Sequence, residues 1–471
     1  MPFKNLTPLH CLPFEALTPA GEPLAVVIVK TTLDLVPADG DLRARGFTHW
    51  LKLSQDQQPV ALTDAYHGAF LESSVRWESE TAPLKPRCDV IVLGSAHAPG
   101  ARPRRRFPVA VQVQTPPRAR PLPPRPPPLG FGVDVPPEFL QGWRAEVARA
   151  QANPIPGTIL IHKRLQVTGE RWLKRRNLLA RLFWGLVKLA SLGLIRRCPW
   201  VLTWPKALTV LPLMYEYAFG GHRQLRASDP GAWRMPRRNC LPGVDKAQLR
   251  RAWKQTQTDG LLAAQGWDWN YVGRGFAPAW YLKAARVKRL PAPQVEDPKQ
   301  PFSAKAAWKA MTGKATGRFL AALMPQGLGA LTRNWQPRLN FAGTWDAAWA
   351  QSGAPYPPDH DLAFNNQAHP DLQCRHLAGD EIIELTNLCA PTLPGVAQDP
   401  QNNQFLRFSL PGHTVYLLLF PPNASPVPCP AVLDTLILEP DTLRVTLLHR
   451  AHPPHSPTPL RTELRLTLAN P

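Results

Sequence analysis

Apolar and polar positions alternate, or cluster in short runs, along most of this chain. Residues 24–35 read LAVVIVKTTLDL, a short β-branched run that predicts a strand. Val109, Val111 and Val113 alternate with their neighbours in 108–114, and further strands are expected at 89–93 and 158–167. The same pattern returns at 413–420, 435–438, 443–448 and 462–468, where proline turns separate the runs as in a sandwich or meander. Helical periodicity is rarer and predicts helices at 137–151, 178–195, 245–254 and 303–323. The expected class is mainly β with helical insertions (α+β), built from sandwich-like antiparallel sheets. Four parts are expected: a β-rich 1–114, a Pro/Arg-rich linker or loop at 115–129, a basic 130–339 with the helical insertions, and a β-rich, acidic 340–471.

Composition sharpens this picture. The 471 residues are 44% hydrophobic, enough for a substantial core, and 56 prolines against 30 glycines favour short elements with long connections. Residues 115–129, TPPRARPLPPRPPPL, should be polyproline II or unstructured, either a solvated linker or a strip for an aromatic groove. The formal charge of +21 is uneven: seven arginines and no acid lie between Arg102 and Arg125, whereas 341–439 has ten carboxylates against Arg375 and Arg407. Such asymmetry points to two faces with different partners, or to one acidic partner for the basic middle. Seven cysteines form no CxxC pair and no zinc spacing. Residues 1–15 lack the pattern of a secretory signal, so a cytoplasmic location is expected.

Motifs for a nucleophile elbow, a zincin helix, a phosphate loop or a dinucleotide turn are absent from the sequence, and neither a cofactor nor a metal is expected. Asp359-His360-Asp361 is the one cluster with catalytic possibilities, for a hydrolase-like centre, but adjacent residues on a strand diverge and a turn role is favoured. Basic charge and sixteen tryptophans come without a nucleic-acid recognition motif, and nucleic acid is not an expected partner. Residues 178–195, LLARLFWGLVKLASLGLI, carry a wide apolar face with Lys174, Arg181 and Lys188 along one stripe. Three readings stay open for this segment: a helix packed on the body, a peripheral membrane contact, or a client-binding surface made of Leu178, Leu182, Trp184 and Leu189 with Arg181 and Lys188.

An ordered series of motifs runs through the chain. It opens with Val29-Lys30-Thr31-Thr32-Leu33, then Lys85-Pro86-Arg87-Cys88-Asp89 with Gly94, and Lys163 to Trp172, which includes Gly169 and Arg171. Leu211-Pro212-Leu213, Tyr215-Glu216, Ala218-Phe219-Gly220-Gly221, residues 270–276 (NYVGRGF) and Leu290-Pro291 with Glu296-Asp297-Pro298 follow. Gly343-Thr344-Trp345-Asp346, Trp349, Pro358-Asp359-His360-Asp361, Phe364-Asn365-Asn366, Gly379-Asp380-Glu381 and residues 408–411 (FSLP) close it.

In this order the motifs resemble the effector adaptor/chaperone family of type VI secretion, catalogued as a domain of unknown function. That resemblance implies a non-enzymatic protein that holds a cognate toxin effector and helps load it onto the spike, a valine-glycine-repeat protein, or its PAAR-type tip. His449-Arg450 stands where relatives usually have Trp-Arg, and 115–129, 178–195 and 303–323 look like additions to the shared core. Physically the motifs read as scaffold: the glycines suit tight turns, Lys85, Lys163, Arg171, Glu216 and Glu381 suit buried or half-buried ion pairs, and Trp172, Trp345 and Trp349 suit core space.

Overall fold

The strand Pro23–Pro37 organises the molecule because its β-branched run is buried along most of its length. The computed structural model describes residues 3–468 apart from 71, 128–134, 191–197, 246, 249, 252–259, 423 and 455–460. The long strand lies between His10–Leu17 and Arg444–Ala451, antiparallel to both, and its far end takes His49–Leu53. Beyond Arg444–Ala451 this seven-stranded sheet continues through Val432–Glu439 and Cys88–Val92, which pair in parallel, to Gln373–Cys374. A six-stranded antiparallel sheet runs in the order Val295–Glu296, Ile159–Thr168, Arg106–Gln114, Ile382–Thr386, Gln404–Ser409, Ala397–Gln398.

Alternate residues of the long strand serve two cores, the direct result of a two-residue side-chain period. Val26 and Ile28 share the main core with Val109, Val111 and Val113 of the six-stranded sheet. Val27 and Val29 belong to a second core with Val415, Leu417, Leu419 and Leu464 of a four-stranded sheet. The expectation of a mainly β fold holds. A simple sandwich does not describe it, because the described residues form eight sheets of two to seven strands.

Arg106–Gln114 is flanked by Ile159–Thr168 and Ile382–Thr386, so 1–114 and 340–471 build the same sheets. Between them, Leu173, Trp200, Phe219, Phe276, Leu290, Phe302 and Met311 form a separate core beneath a three-stranded sheet of Trp200–Leu202, Trp172–Arg175 and Arg289–Pro291.

The described part of 115–129 is docked rather than free. Thr115 and Thr158 exchange hydrogen bonds of 2.9 and 2.8 Å, and Arg118 bridges Ile155. Trp143 of the helix Pro137–Ala152 donates from Nε1 to the Pro123 carbonyl at 2.9 Å. Prolines cannot donate to a ladder, so Thr115 and Arg118 supply the backbone donors while Pro123 offers its carbonyl. Residues 128–129 lie outside the described residues.

The predicted 303–323 helix is two helices, Ala304–Met311 and Arg318–Ala321, with Ser303 Oγ accepting from Ala306 N at 3.2 Å as the N-cap. The break follows Thr312, where Gly313 takes φ +67°. Of the segment predicted to be helical at 245–254, residues 246, 249 and 252–254 lie outside the described residues. The 178–195 segment is helical over Leu178–Ala190, and 191–195 lie outside them.

One buried ring gives the fold a pH dependence. Burial pushes His449 down to about 4. Unfolded histidine binds a proton near pH 6.5 while folded His449 stays neutral, so the unfolded state gains protons first and stability falls as pH drops from about 6.5 toward 4. The expected loss between pH 7 and pH 5 is about 2 kcal/mol from this residue. Urea titrations at both pH values should show that the fall shrinks by this amount in His449→Gln.

Candidate functional site

Several motif residues meet as buried ions. Asp89 is fully buried and accepts from Lys85 Nζ at 2.7 Å, Asn366 Nδ2 at 3.1 Å, and the amides of Gln367 and Ala368 at 3.0 and 3.1 Å. Lys85 also donates to Thr435 Oγ1 at 2.9 Å, and next to this group Arg450 binds Asp434 and the carbonyls of Glu80 and Ala82. Lys30 pairs with Glu80 at 2.8 Å and Arg171 with Glu296 at 2.8 Å. Apart from Lys30, which lies 5.3 Å from the Trp77 ring, each of these ions has a further hydrogen bond, the condition under which buried pairs are tolerated. Glu216 and Glu381 depart from the expected ion pairing: Glu216 accepts from Ser74 N and Oγ at 2.7 Å, and Glu381 accepts from the amides of Ala378 and Gly379 at 2.8 and 3.0 Å.

Lys163 sits among Asp371 at 2.9 Å, His369 Nδ1 at 3.1 Å and Gln326 Oε1 at 3.2 Å. Burial lowers the Lys163 amine, and burial together with the Lys163 charge keeps His369 neutral far below its usual range. The amine therefore joins Ile159–Thr168 to the turn at Pro370–Leu372.

Four motif blocks, remote in sequence, converge with Arg223 on one open cleft of about 400 Å³. Glu170, Arg171 and Trp172 supply one wall, Glu216 and Arg223 another, and Val272, Gly273, Arg274, Pro291 and Ala292 the rest. Asn270 ties these loops together: fully buried, it donates to the carbonyls of Tyr215 at 2.8 Å and Phe219 at 3.2 Å and accepts from the amides of Val272 and Gly273. Arg274 stacks 4.3 Å from the Tyr217 ring, donates to the Glu216 carbonyl at 2.8 Å, and is lowered by desolvation. Close approach explains the glycines here. A Cβ on Gly169 would sit 1.7 Å from the Lys206 carbonyl oxygen, and one on Gly220 would sit 2.2 Å from that of Asn270.

Asp359, His360 and Asp361 reach separate partners. Asp359 accepts from Thr344 N at 2.8 Å and Oγ1 at 2.7 Å, and these bonds hold its carboxyl below the usual range. His360 stacks on Tyr356 with centroids 4.5 Å apart, and Asp361 caps the turn Leu362–Asn365 through Ala363 N at 2.8 Å. Gly343, at φ +79°, starts the loop that Asp359 holds. Asp359→Ala is expected to loosen this loop, with faster proteolytic nicking near Thr344 in limited elastase digestion and an intact body. Among the described residues no three His, Cys, Asp or Glu side chains gather as metal ligands.

The tryptophans differ from the core role expected of them. Trp345 is 51% exposed and makes an edge contact with half-buried Trp349 at 4.4 Å, while Trp172 is half-buried under the Arg289 guanidinium. The Leu178–Ala190 helix is not packed by its apolar face on the body: Leu182 is 58% and Leu189 77% exposed, whereas Trp184 is half-buried. The side chains of Leu178, Arg181 and Lys188 lie outside the described residues.

Sequence reasoning quoted 270–276 without singling out Asn270, and it missed a pocket formed by Arg175, Lys283, Arg286 and Lys288. An acid-free stretch from 269 to 295 was the available signal. No curated protein and no solved structure matches this chain. A family model described as an uncharacterized protein conserved in bacteria (DUF2169) matches residues 20–120 and 144–450, passing over most of the Pro/Arg tract but running through 178–195 and 303–323. With most of its length matched, the chain belongs to that bacterial family.

Proposed function

We propose that this protein is a non-enzymatic cytoplasmic adaptor or chaperone that binds a cognate type VI secretion toxin effector and promotes its loading onto the spike or its PAAR-type tip. The observation that carries this reading is the convergence of the motif blocks at 169–172, 215–221, 270–276 and 290–291 on one open cleft, locked from below by Asn270. A firm, water-accessible surface with Glu170, Arg223 and Arg274 on its walls suits a polar segment of another protein. Binding alone accomplishes the task, since a ligand that engages only the folded client stabilises it and covers surface that would otherwise aggregate. The rival hydrolase reading at Asp359–Asp361 has less in its favour, because both carboxylates are already engaged with Thr344 and Ala363.

The test is affinity capture from the native host followed by mass spectrometry. The toxin and the spike or tip protein encoded with this gene should be recovered, and Arg223→Glu should lower toxin recovery at least tenfold at an unchanged melting temperature. Recovery of neither partner by the wild-type protein would sink the reading.

A further inference from the structure

The Leu178–Ala190 helix is an excursion from a small sheet. Trp172–Arg175 and Trp200–Leu202 pair antiparallel with Arg175 opposite Trp200, so the chain leaves and returns at one end of that sheet. Leu179, Leu182, Phe183, Leu186 and Leu189 are 81, 58, 58, 66 and 77% exposed, and their spacing of three and four puts them on one stripe. Half-buried Trp184 and Val187 fall between these positions, toward the body. A surface helix normally turns its apolar stripe inward, so this one shows its greasy side to solvent.

A second, independent observation lies where the excursion starts. Arg175, Lys283, Arg286 and Lys288 surround a pocket of about 590 Å³ whose apolar lining includes Trp200 and Trp308. None of its lining residues is acidic. The surrounding sequence has the same bias: 171–215 holds nine Lys or Arg and no acid, and 269–295 holds five and no acid.

We propose that this helix and pocket form a docking surface for an anionic phospholipid bilayer. The stripe enters the boundary between headgroups and acyl chains, with Phe183 suited to the interfacial depth, while the pocket receives lipid phosphate. Charge decides between occupants. A second copy would bring an equally cationic pocket against the first, and an apolar client segment would leave four cations unanswered; a bilayer rich in anionic lipid supplies both apolar depth and negative charge. The thirteen described helical residues are too few to cross a bilayer, which takes roughly 20, so the helix is placed in the plane of the surface.

The test is co-sedimentation of the full chain with vesicles of phosphatidylglycerol and phosphatidylcholine, or of phosphatidylcholine alone, with no toxin present. Failure here is therefore separable from failure of the adaptor reading. The protein should sediment with the anionic vesicles only, less so in high salt. Leu182→Asp with Leu189→Asp, and separately Lys283→Glu with Lys288→Glu, should each cut binding at least tenfold at an unchanged melting temperature. Since the whole chain is cationic, Arg102→Glu with Arg105→Glu, both at exposed positions, is the charge-matched control and should change binding less than twofold. Several results would overturn the proposal: equal binding to neutral vesicles, binding retained in either test pair, an equal loss in the control, dimers that bury the stripe, or pocket occupancy by inorganic phosphate without vesicle binding. A large drop in melting temperature for the leucine pair would also overturn it, by showing that the stripe is core.

Discussion

Asp89→Ala is expected to cost about 5 kcal/mol or more, the largest loss of any single substitution considered. Removing the carboxylate leaves Lys85 as an uncompensated buried charge, for which broken buried pairs typically lose about 3–5 kcal/mol. It also strips the acceptor from the amides of Gln367 and Ala368, each orphaned donor adding about 1–3 kcal/mol. Folded proteins are stable by only about 5–15 kcal/mol, so most of the variant should be insoluble or degraded at 37 °C. Yield, differential scanning fluorimetry and urea titration check this. A stable variant that has lost less than 1 kcal/mol would mean that the Lys85 ammonium finds water in the folded state, contrary to its burial.

Arg450→Met should rank second, at about 3–5 kcal/mol, because Asp434 is then buried with its charge unanswered. Here a compensating change exists. Adding Asp434→Leu removes the stranded charge, and since apolar replacement of a whole buried pair is often neutral, the double variant should recover roughly 2 kcal/mol of the loss. The carbonyls of Glu80 and Ala82 stay without their donor, which caps the recovery. A double variant less stable than Arg450→Met alone would overturn this account. Asp89 permits no such repair by a change at Lys85, since its backbone partners would remain orphaned.

The strands were legible from two patterns, alternation where one face meets a core and a continuous apolar or β-branched run where both do. Arg106–Gln114 alternates buried and half-buried residues as Val109, Val111 and Val113 require, and its true start lies two residues before the expected 108. Partner choice was not legible: nothing local in 24–35 specifies that 444–451 lies beside it. The periodicity of 303–323 does not show its break, because Thr312-Gly313 can continue or end a helical pattern and only the positive φ of Gly313 decides. Docking of the described part of 115–129 depends on partners 20 to 43 residues on, Trp143, Ile155 and Thr158. The stripe of 178–190 was seen, but an apolar face reads the same whether it meets core, client or lipid. The basic pocket escaped notice because Arg175 and Lys283 come from segments far apart in sequence.

The pairing of Pro23–Pro37 with Arg444–Ala451 has a kinetic consequence. Ile28 sits opposite Arg450, about 420 residues later in the chain, so the central sheet cannot close until nearly all of that length has left the ribosome. At 5–20 residues per second this takes roughly 20–80 s, far longer than a hairpin or hydrophobic collapse needs. Throughout that interval Val26, Val27, Ile28 and Val29 form an apolar strand with one edge unpaired, the feature through which nascent chains stick to one another. The yield of this protein is therefore expected to respond more to translation rate and to chaperones than that of a protein of equal stability whose sheets close locally.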